Sequence, residues 1–362
     1  MTIKKLLILT LFTSFSYFLN AQVFINGAKS KIVSQGSPSI SMNGLNILNE
    51  GELHLGGGEV TIRGTKDTYI EGTTPLIFHD LKLKISGELV IGTHLSVNNQ
   101  FILENGEVDL QDYNLFLPKN ESKLIGENSN NRVVSSGSGE IIKYYTQQNL
   151  KNENVGNLGL VFENFENLDT LLIKRGHSTL HIPFGESITR YYKVSTKKKP
   201  HDKLRIGLEY FDDEILVKDP NMKEQVWIQN NGEWNRTEAN LSRGSSANGH
   251  IAKAQVEIYE SIITVGLYKR LIDKALIPNV FTPNNDGIND YFIIPEIEKL
   301  PGAQVKIYNV YGNLLYAQTN YQENPWDGKL RGKTQPFGVY LYQVIDEENP
   351  LEFIEGEITI IK

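Results

Sequence analysis

Cysteine is absent from this chain. That excludes disulfides, zinc–thiolate centres, thiol nucleophiles and thiol redox chemistry, and leaves packing, hydrogen bonds or a bound ion to hold the fold. Long apolar runs are confined to the N-terminus, so no later stretch is long enough to cross a membrane as a helix. Basic runs are scarce too: Lys197-Lys198-Lys199 is the one sustained example, and the formal net charge is −7 at pH 7. Nucleic acid is disfavoured as a partner on that balance. Catalytic phrases are also missing. There is no nucleophile elbow, phosphate-binding glycine loop or dinucleotide fingerprint.

What is present begins with a processing segment. Lys4-Lys5 supply positive charge, Leu6 to Phe12 open an apolar core that continues to Leu19, and Ala21 precedes Gln22 at a plausible cleavage point. Leu19 is larger than usual at its place before the cut. Residues 1–21 are expected to be a Sec signal peptide, outside the fold. About 340 residues remain, enough for two or three domains.

Between residues 22 and 149 short apolar alternations recur, such as Leu53-His54-Leu55, Leu81 to Ile85 and Phe101-Ile102-Leu103, with no amphipathic-helix pattern among them. A phrase repeats: Gly51-Glu52-Leu53, Gly58-Glu59-Val60, Gly87-Glu88-Leu89, Gly106-Glu107-Val108 and Gly139-Glu140-Ile141. Omitting the second, the gaps are 36, 19 and 33 residues, which fits one or two rungs of about 16 to 19 residues. The expectation is a parallel β-solenoid, in which glycine makes the corner and the following strand turns alternate residues inward.

Residues 150–270 carry longer strands, among them Arg190 to Val194, Leu204 to Tyr210 and Ile262 to Leu267, with turns at Asn230-Asn231-Gly232 and Arg243 to Ser246. An antiparallel β-sandwich is expected. Trp227 and Trp234 flank the first turn, as core anchors or as a sugar-stacking platform. His177 and His181 share a strand face compatible with a metal pair, and Asp212-Asp213-Glu214 follows a strand. Adjacent acids of that kind are expected to be solvated rather than catalytic, since glycosidase carboxylates must face each other across a sugar. Residues 271–276 look like a linker.

The last stretch, 277–362, opens with a strand and a cluster of Asn, Asp and Gly: Phe281, Thr282, Pro283, Asn284, Asn285, Asp286, Gly287, Ile288, Asn289 and Asp290. Strand-like segments follow at Val305 to Val310, Asn313 to Tyr316, Val339 to Val344 and Glu357 to Ile361. Trp326-Asp327-Gly328 and the Gly338–Tyr340 step punctuate them. Together these phrases resemble the gliding motility-associated C-terminal domain, the type B sorting domain of the type IX secretion system of Bacteroidetes. Asn285 stands where that family usually has glycine. Asn tolerates left-handed backbone, so the turn should survive. The resemblance implies an immunoglobulin-like sandwich, Sec export followed by passage through the type IX outer-membrane translocon, and attachment through a PorP/SprF-like barrel.

Asn284, Asp286, Asn289 and Asp290 place four oxygen-bearing side chains around Gly287, a donor set that suits Ca²⁺. A loop tied by Asx turns without any ion is the alternative. No cofactor is otherwise required. The expected fold class is therefore all-β: solenoid, sandwich, immunoglobulin-like sandwich. The expected function is a non-catalytic surface protein, a stalk, adhesin or accessory part of a gliding or secretion assembly. A secreted polysaccharide-binding or polysaccharide-cleaving protein is the alternative.

Overall fold

The computed structural model describes residues 6–9, 17–19, 23–146, 150–164, 170–183, 185–198, 200, 203–216, 222–237, 244–246, 249–269, 272, 274–300, 302–345 and 353–361. Among these there is no α-helix, only strands and short 3-10 turns. The chain divides into two compact units, residues 1–219 with 224–268 and residues 269–362 with 220–223.

The first unit starts as a β-solenoid of about five turns. Its coils have three faces. One face stacks Lys31–Ser34, Glu52–His54, Leu76–Phe78, Leu95–Val97, Leu115–Leu117 and Ile141–Tyr145 in parallel. A second stacks Ile40–Asn43, Glu59–Gly64, the first halves of Asp80–Gly92 and Gln100–Asp109, and Lys123–Ile125. The third runs from Val23–Asn26 through Asn46–Asn49 and Thr68–Glu71 to Val133–Val134.

Alternation explains why these segments become rungs. Alternate apolar residues of each strand point inward and land on their counterparts in the next rung. Phe24 pairs with Ile47, Ile47 with Ile70 and Ile70 with Ile91. Elsewhere Ile40 meets Val60, Val60 meets Leu81, and Leu81 meets Phe101. All of these except Phe24 and Ile40 are 0–1% exposed. A single rung cannot bury such a face, but a stack can. Polar corners are stacked as well: buried Asn26 donates to Asn49 at 2.7 Å, and Asn49 donates to the Thr74 carbonyl at 2.9 Å. Gly72 follows at that corner with φ 131°; a Cβ there would lie 2.0 Å from the Asn49 carbonyl oxygen.

The rung length starts at the top of the expected 16 to 19 residues and runs beyond it. Leu89 pairs with Val108, 19 residues on, and Leu115 with Ile141, 26 on. The repeated Gly-Glu phrase does mark corners that turn the next residue inward. It marks them on all three faces, however: Leu53 and Ile141 lie on the first, Val60 on the second, Leu89 and Val108 on the third. Its spacing therefore counts faces and corners of unequal length, not whole rungs.

Past Tyr145 the first face of the solenoid runs on without a break, but antiparallel. Ile141–Tyr145 pairs with Leu171–Gly176, which pairs with Gly185–Thr196, then Glu260–Lys269, Met222–Asn230 and Glu233–Arg236. A second antiparallel sheet contains Glu153–Asn154, Leu160–Asn164, Leu204–Tyr210, Gly249–Val256 and Gly244–Ser246. Gly244–Ser246, expected as a turn, is thus a short strand. Residues of both sheets, Val194 and Ile263 on one and Phe162 and Ile206 on the other, join the solenoid interior in one hydrophobic core.

The second unit is a five-stranded sheet in the order Val280–Phe281, Phe353–Ile360, Gly338–Ile345, Gln304–Asn309, Leu314–Thr319. Its inner face (Val305, Ile307, Tyr340, Tyr342, Val344, Ile358) is covered by Phe292, Ile294, Tyr321 and Trp326 from connecting segments. Ile272, in the stretch expected as a linker, is buried in this core.

Of the expected leader, residues 1–5, 10–16 and 20–21 lie outside the described residues, as does Gln22 after it. The backbones of Leu6–Leu9 and Tyr17–Leu19 are extended. They pair in parallel with Lys31–Ser34 and with Ile40–Met42.

Candidate functional site

The motif residues of the C-terminal unit are separated in sequence and meet in space. Phe281 and Tyr340, on neighbouring parts of the sheet, both pack on Trp326, with ring centroids 5.4 and 5.3 Å away. Trp326 is fully buried and donates its indole N–H to the Lys329 carbonyl at 3.0 Å. Its backbone N–H donates to the Tyr321 hydroxyl at 3.1 Å, and that hydroxyl donates to the Phe292 carbonyl at 2.6 Å. Burial pushes the Tyr321 phenol well above its ordinary range, so it stays a donor. Gly328 has φ 71° and lies against Pro283; a Cβ there would come within 2.8 Å of the proline ring. Asp327 accepts from the Lys329 backbone at 3.1 Å and pairs with its ammonium at 2.7 Å. Gly338, with φ 149°, opens the strand that carries Tyr340.

The loop from Thr282 to Asp290 is bonded to itself. The Asp286 carboxylate accepts from the Ile288 N–H at 2.8 Å and from the Asn284 amide at 2.9 Å. Asp290 accepts from the backbone of Asn285 at 2.5 Å and of Gly287 at 2.7 Å. Thr282 closes the loop by donating its hydroxyl to the Ile288 carbonyl at 3.1 Å, while its N–H reaches the Asn289 carbonyl at 2.9 Å. Asn285 and Asn289 take left-handed backbone, φ 65° and 52°, and Gly287 takes 87°. Every carboxylate oxygen among the four residues considered for calcium already accepts a hydrogen bond. These Asx turns hold the bend with the chain's own groups.

The first unit holds a buried polar cluster that the sequence reading missed. Arg175, 0% exposed, makes a two-pronged pair with Glu127 at 2.5 and 2.7 Å and donates to the Leu158 carbonyl at 3.2 Å. Arg190 pairs with Glu214 at 2.8 Å, and the Tyr192 hydroxyl donates to the same Leu158 carbonyl at 2.8 Å. Burial pushes the Glu127 carboxyl up, but the Arg175 charge and its hydrogen bonds hold it below the ordinary range. A signal existed: in Leu171-Leu172-Ile173-Lys174-Arg175, strand parity puts Arg175 on the same side as Leu171 and Ile173. Lys143 sits inward by the same parity. Its ammonium donates to the carbonyls of Lys119, Asn120 and Ser122, the last two at 3.0 and 2.7 Å. Burial pushes its pKa down to about 8, against an upward pull from Glu121.

Other candidates separate. Asp212-Asp213-Glu214 was expected to be solvated; it forms a 3-10 turn that splays the three acids apart. Asp212 contacts His250 at 2.5 Å, Asp213 contacts Arg132 at 2.5 Å, and Glu214 is buried against Arg190. His181 is exposed beside Glu186 at 3.0 Å. His177 lies elsewhere in character: burial and the charges of Arg175, Arg190 and Arg132 push its pKa well below the ordinary value. His201 lies outside the described residues. Trp227 is 3% exposed and belongs to the core, and Trp234 is half-buried, so the pair presents no open stacking platform.

Comparison with known proteins bears on the C-terminal unit. Residues 275–360 match the family model described as the CHU_C Type IX secretion signal domain, which bears out the resemblance of the last stretch to a type IX sorting domain. No curated protein matches the chain. Among solved structures, the adhesin domain of Epf from Streptococcus pyogenes is 13% identical over 65% of this chain and 94% of that one. Its TM-score is 0.16, too low to carry an argument about fold or function.

Proposed function

We propose that this chain is a non-catalytic protein displayed on or released from the cell surface, with its all-β first unit as cargo and its C-terminal unit as the export signal. The observation that carries this reading is the match over residues 275–360, whose motif residues converge on Trp326 and the self-bonded loop. The leader is a Sec signal, removed before residue 22. A PorP/SprF-like barrel then holds the protein at the outer membrane as a stalk, an adhesin or an accessory part of a gliding or secretion assembly in a Bacteroidetes cell. A passive role fits the buried acids and bases of the first unit. Glu127, Arg175, Arg190 and Glu214 are paired with one another rather than presented to a substrate. Hydrogen bonds from the loop's own N–H groups to the carboxylates of Asp286 and Asp290 support a bend held by Asx turns rather than by calcium.

Deleting residues 277–362 should trap the remainder inside the envelope; normal surface display of the deletion protein would end the proposal. Pull-down of the intact surface protein should recover an outer-membrane barrel, and its absence would remove the attachment step.

A further inference from the structure

Charged groups crowd the place where the solenoid meets the sandwich. Glu107, Glu127 and Arg132 come from the last rungs of the solenoid. Arg175 and Arg190 come from neighbouring strands of the first sandwich sheet, Leu171–Gly176 and Gly185–Thr196. Asp213 and Glu214 come from the 3-10 turn that follows Leu204–Tyr210 of the second sheet. Each carboxylate is committed to a guanidinium: Glu127 to Arg175, Glu214 to Arg190, and Glu107 and Asp213 to Arg132 at 3.2 and 2.5 Å. Glu127 also accepts from the Val133 N–H at 3.0 Å, and Glu214 from the Phe211 N–H at 2.8 Å. These pairs tie the solenoid to both sheets.

His177 sits among them without a partner. Arg175 lies opposite Tyr192 in antiparallel register. His177 is two residues beyond Arg175 and Arg190 is two before Tyr192, so both fall at the same end of that strand pair. His177 is half-buried as a residue, but its Nε2 is shut off from solvent and makes no hydrogen bond. The Nε of Arg175 makes none either, and the Nη2 of Arg190, although close to Glu214, makes no aligned one. The Tyr192 hydroxyl is spent on the Leu158 carbonyl, and burial keeps that phenol un-ionised. Donors already outnumber acceptors here. A protonated His177 adds a further donor and a fourth positive charge facing Arg132, Arg175 and Arg190, with no uncommitted carboxylate to receive it. Glu107 and Asp213 are the two acids that reach solvent, where their charge is screened.

We propose that His177 makes this junction an acid-sensitive latch: neutral, it lets the arginine–carboxylate pairs lock solenoid to sandwich, and on taking up a proton it loosens that lock. The direction follows from linkage. Burial and the three guanidinium charges hold the folded pKa of His177 well below the ordinary 6.5. Below 6.5 the opened junction therefore binds a proton that the closed one refuses, and closure weakens as pH falls. Glu127 is held below the ordinary carboxylate range, so its own loss comes at lower pH and does not overlap this window.

Hydrogen exchange of the whole protein, expressed as protection factors between about pH 7.5 and 5, tests the latch. Relative to His177→Gln, the parent should lose about tenfold protection per pH unit below the ordinary histidine pKa at residues 171–176 and 188–192. Residues 81–85 and 101–103, in the middle of the solenoid, and the C-terminal unit should show no such difference. His177→Leu should behave as His177→Gln does. Histidine NMR of the untagged parent gives a readout that needs no variant to fold. Of its seven histidines, at least one should keep the neutral imidazole position down to about pH 5.5. Seven ordinary titrations, equal pH profiles for the parent and a folded variant, or acid loss spread evenly along the solenoid would overturn the proposal.

Discussion

The solenoid and the C-terminal unit reach a buried core by opposite means. In the solenoid the core is a set of aliphatic columns, such as Ile47, Ile70 and Ile91, in which each residue contacts its equivalent one rung away. In the C-terminal unit the core has a single centre, Trp326, ringed by Phe281 and Tyr340 and tied by hydrogen bonds it donates to the Tyr321 hydroxyl and the Lys329 carbonyl. A column spreads stability over interchangeable positions, while a centre concentrates it in residues with no substitute. The first design can tolerate drift in rung length, and here it does. The second demands particular residues in a particular order, as a recognisable signal must.

The comparison can be broken most sharply where each unit is least replaceable. Arg175→Met strands Glu127 as a buried unpaired charge and should cost about 3–5 kcal/mol in the first unit. Adding Glu127→Gln should recover much of that loss. Thermal unfolding followed by peptide-resolved hydrogen exchange checks both, and protection in the C-terminal unit should not change. Because Glu127 is held below the ordinary carboxylate range, its contribution is present above the unfolded pKa and disappears as acid takes the pH through its folded value. Glu127→Gln should therefore flatten the acid limb of the stability profile.

The matching cut in the second unit is Trp326→Ala, at about 3–5 kcal/mol, with loss of surface display in a cell fractionation assay. Retained display of an unfolded C-terminal unit would show that the signal is read from the sequence rather than the fold.

Smaller effects sharpen the contrast. Lys143→Met leaves carbonyls at the end of the solenoid without their donor and should cost about 1–3 kcal/mol. The amine has a folded pKa of about 8 against an ordinary 10.5, so between those values the unfolded chain binds more protons. Stability of the parent relative to Lys143→Met should rise with pH across that window, as paired chemical denaturation curves would reveal. Smallest is the loop. Asp290→Ala removes the acceptor of two N–H groups on an exposed bend and should cost about 1 kcal/mol, read as faster exchange at Asn285 and Gly287. Calcium or chelator should leave the melting of the parent unchanged; a clear rise with calcium would mean that the loop is an ion site after all.

The same contrast explains what could be read before the structure. Strand periodicity identified the rungs and the sheet of the last unit because an alternating strand has only one way to bury its apolar side. The phrase around Phe281 and the Trp326-Asp327-Gly328 step were legible because one centre needs them once each. The rung length was not legible, since the Gly-Glu corners fall on different faces and the corners vary in length. Arg175 and Lys143 were overlooked because a charged residue inside an alternating strand usually marks the solvent side. Here Glu127, the Leu158 carbonyl and the carbonyls of residues 119–122 supply partners from segments far away in sequence.

By itself, then, the order of residues determined that the described chain is built from strands without helices, where the type IX signal domain lies, and which phrases form the loop. Those are local matters of alternation, turn chemistry and φ preference. Only the tertiary structure decided how many residues make a rung, that the solenoid and the sandwich share one sheet and one core, and which charges are buried in pairs. Each of those depends on what a strand meets after the chain has turned back on itself, and no short window of sequence contains that neighbour.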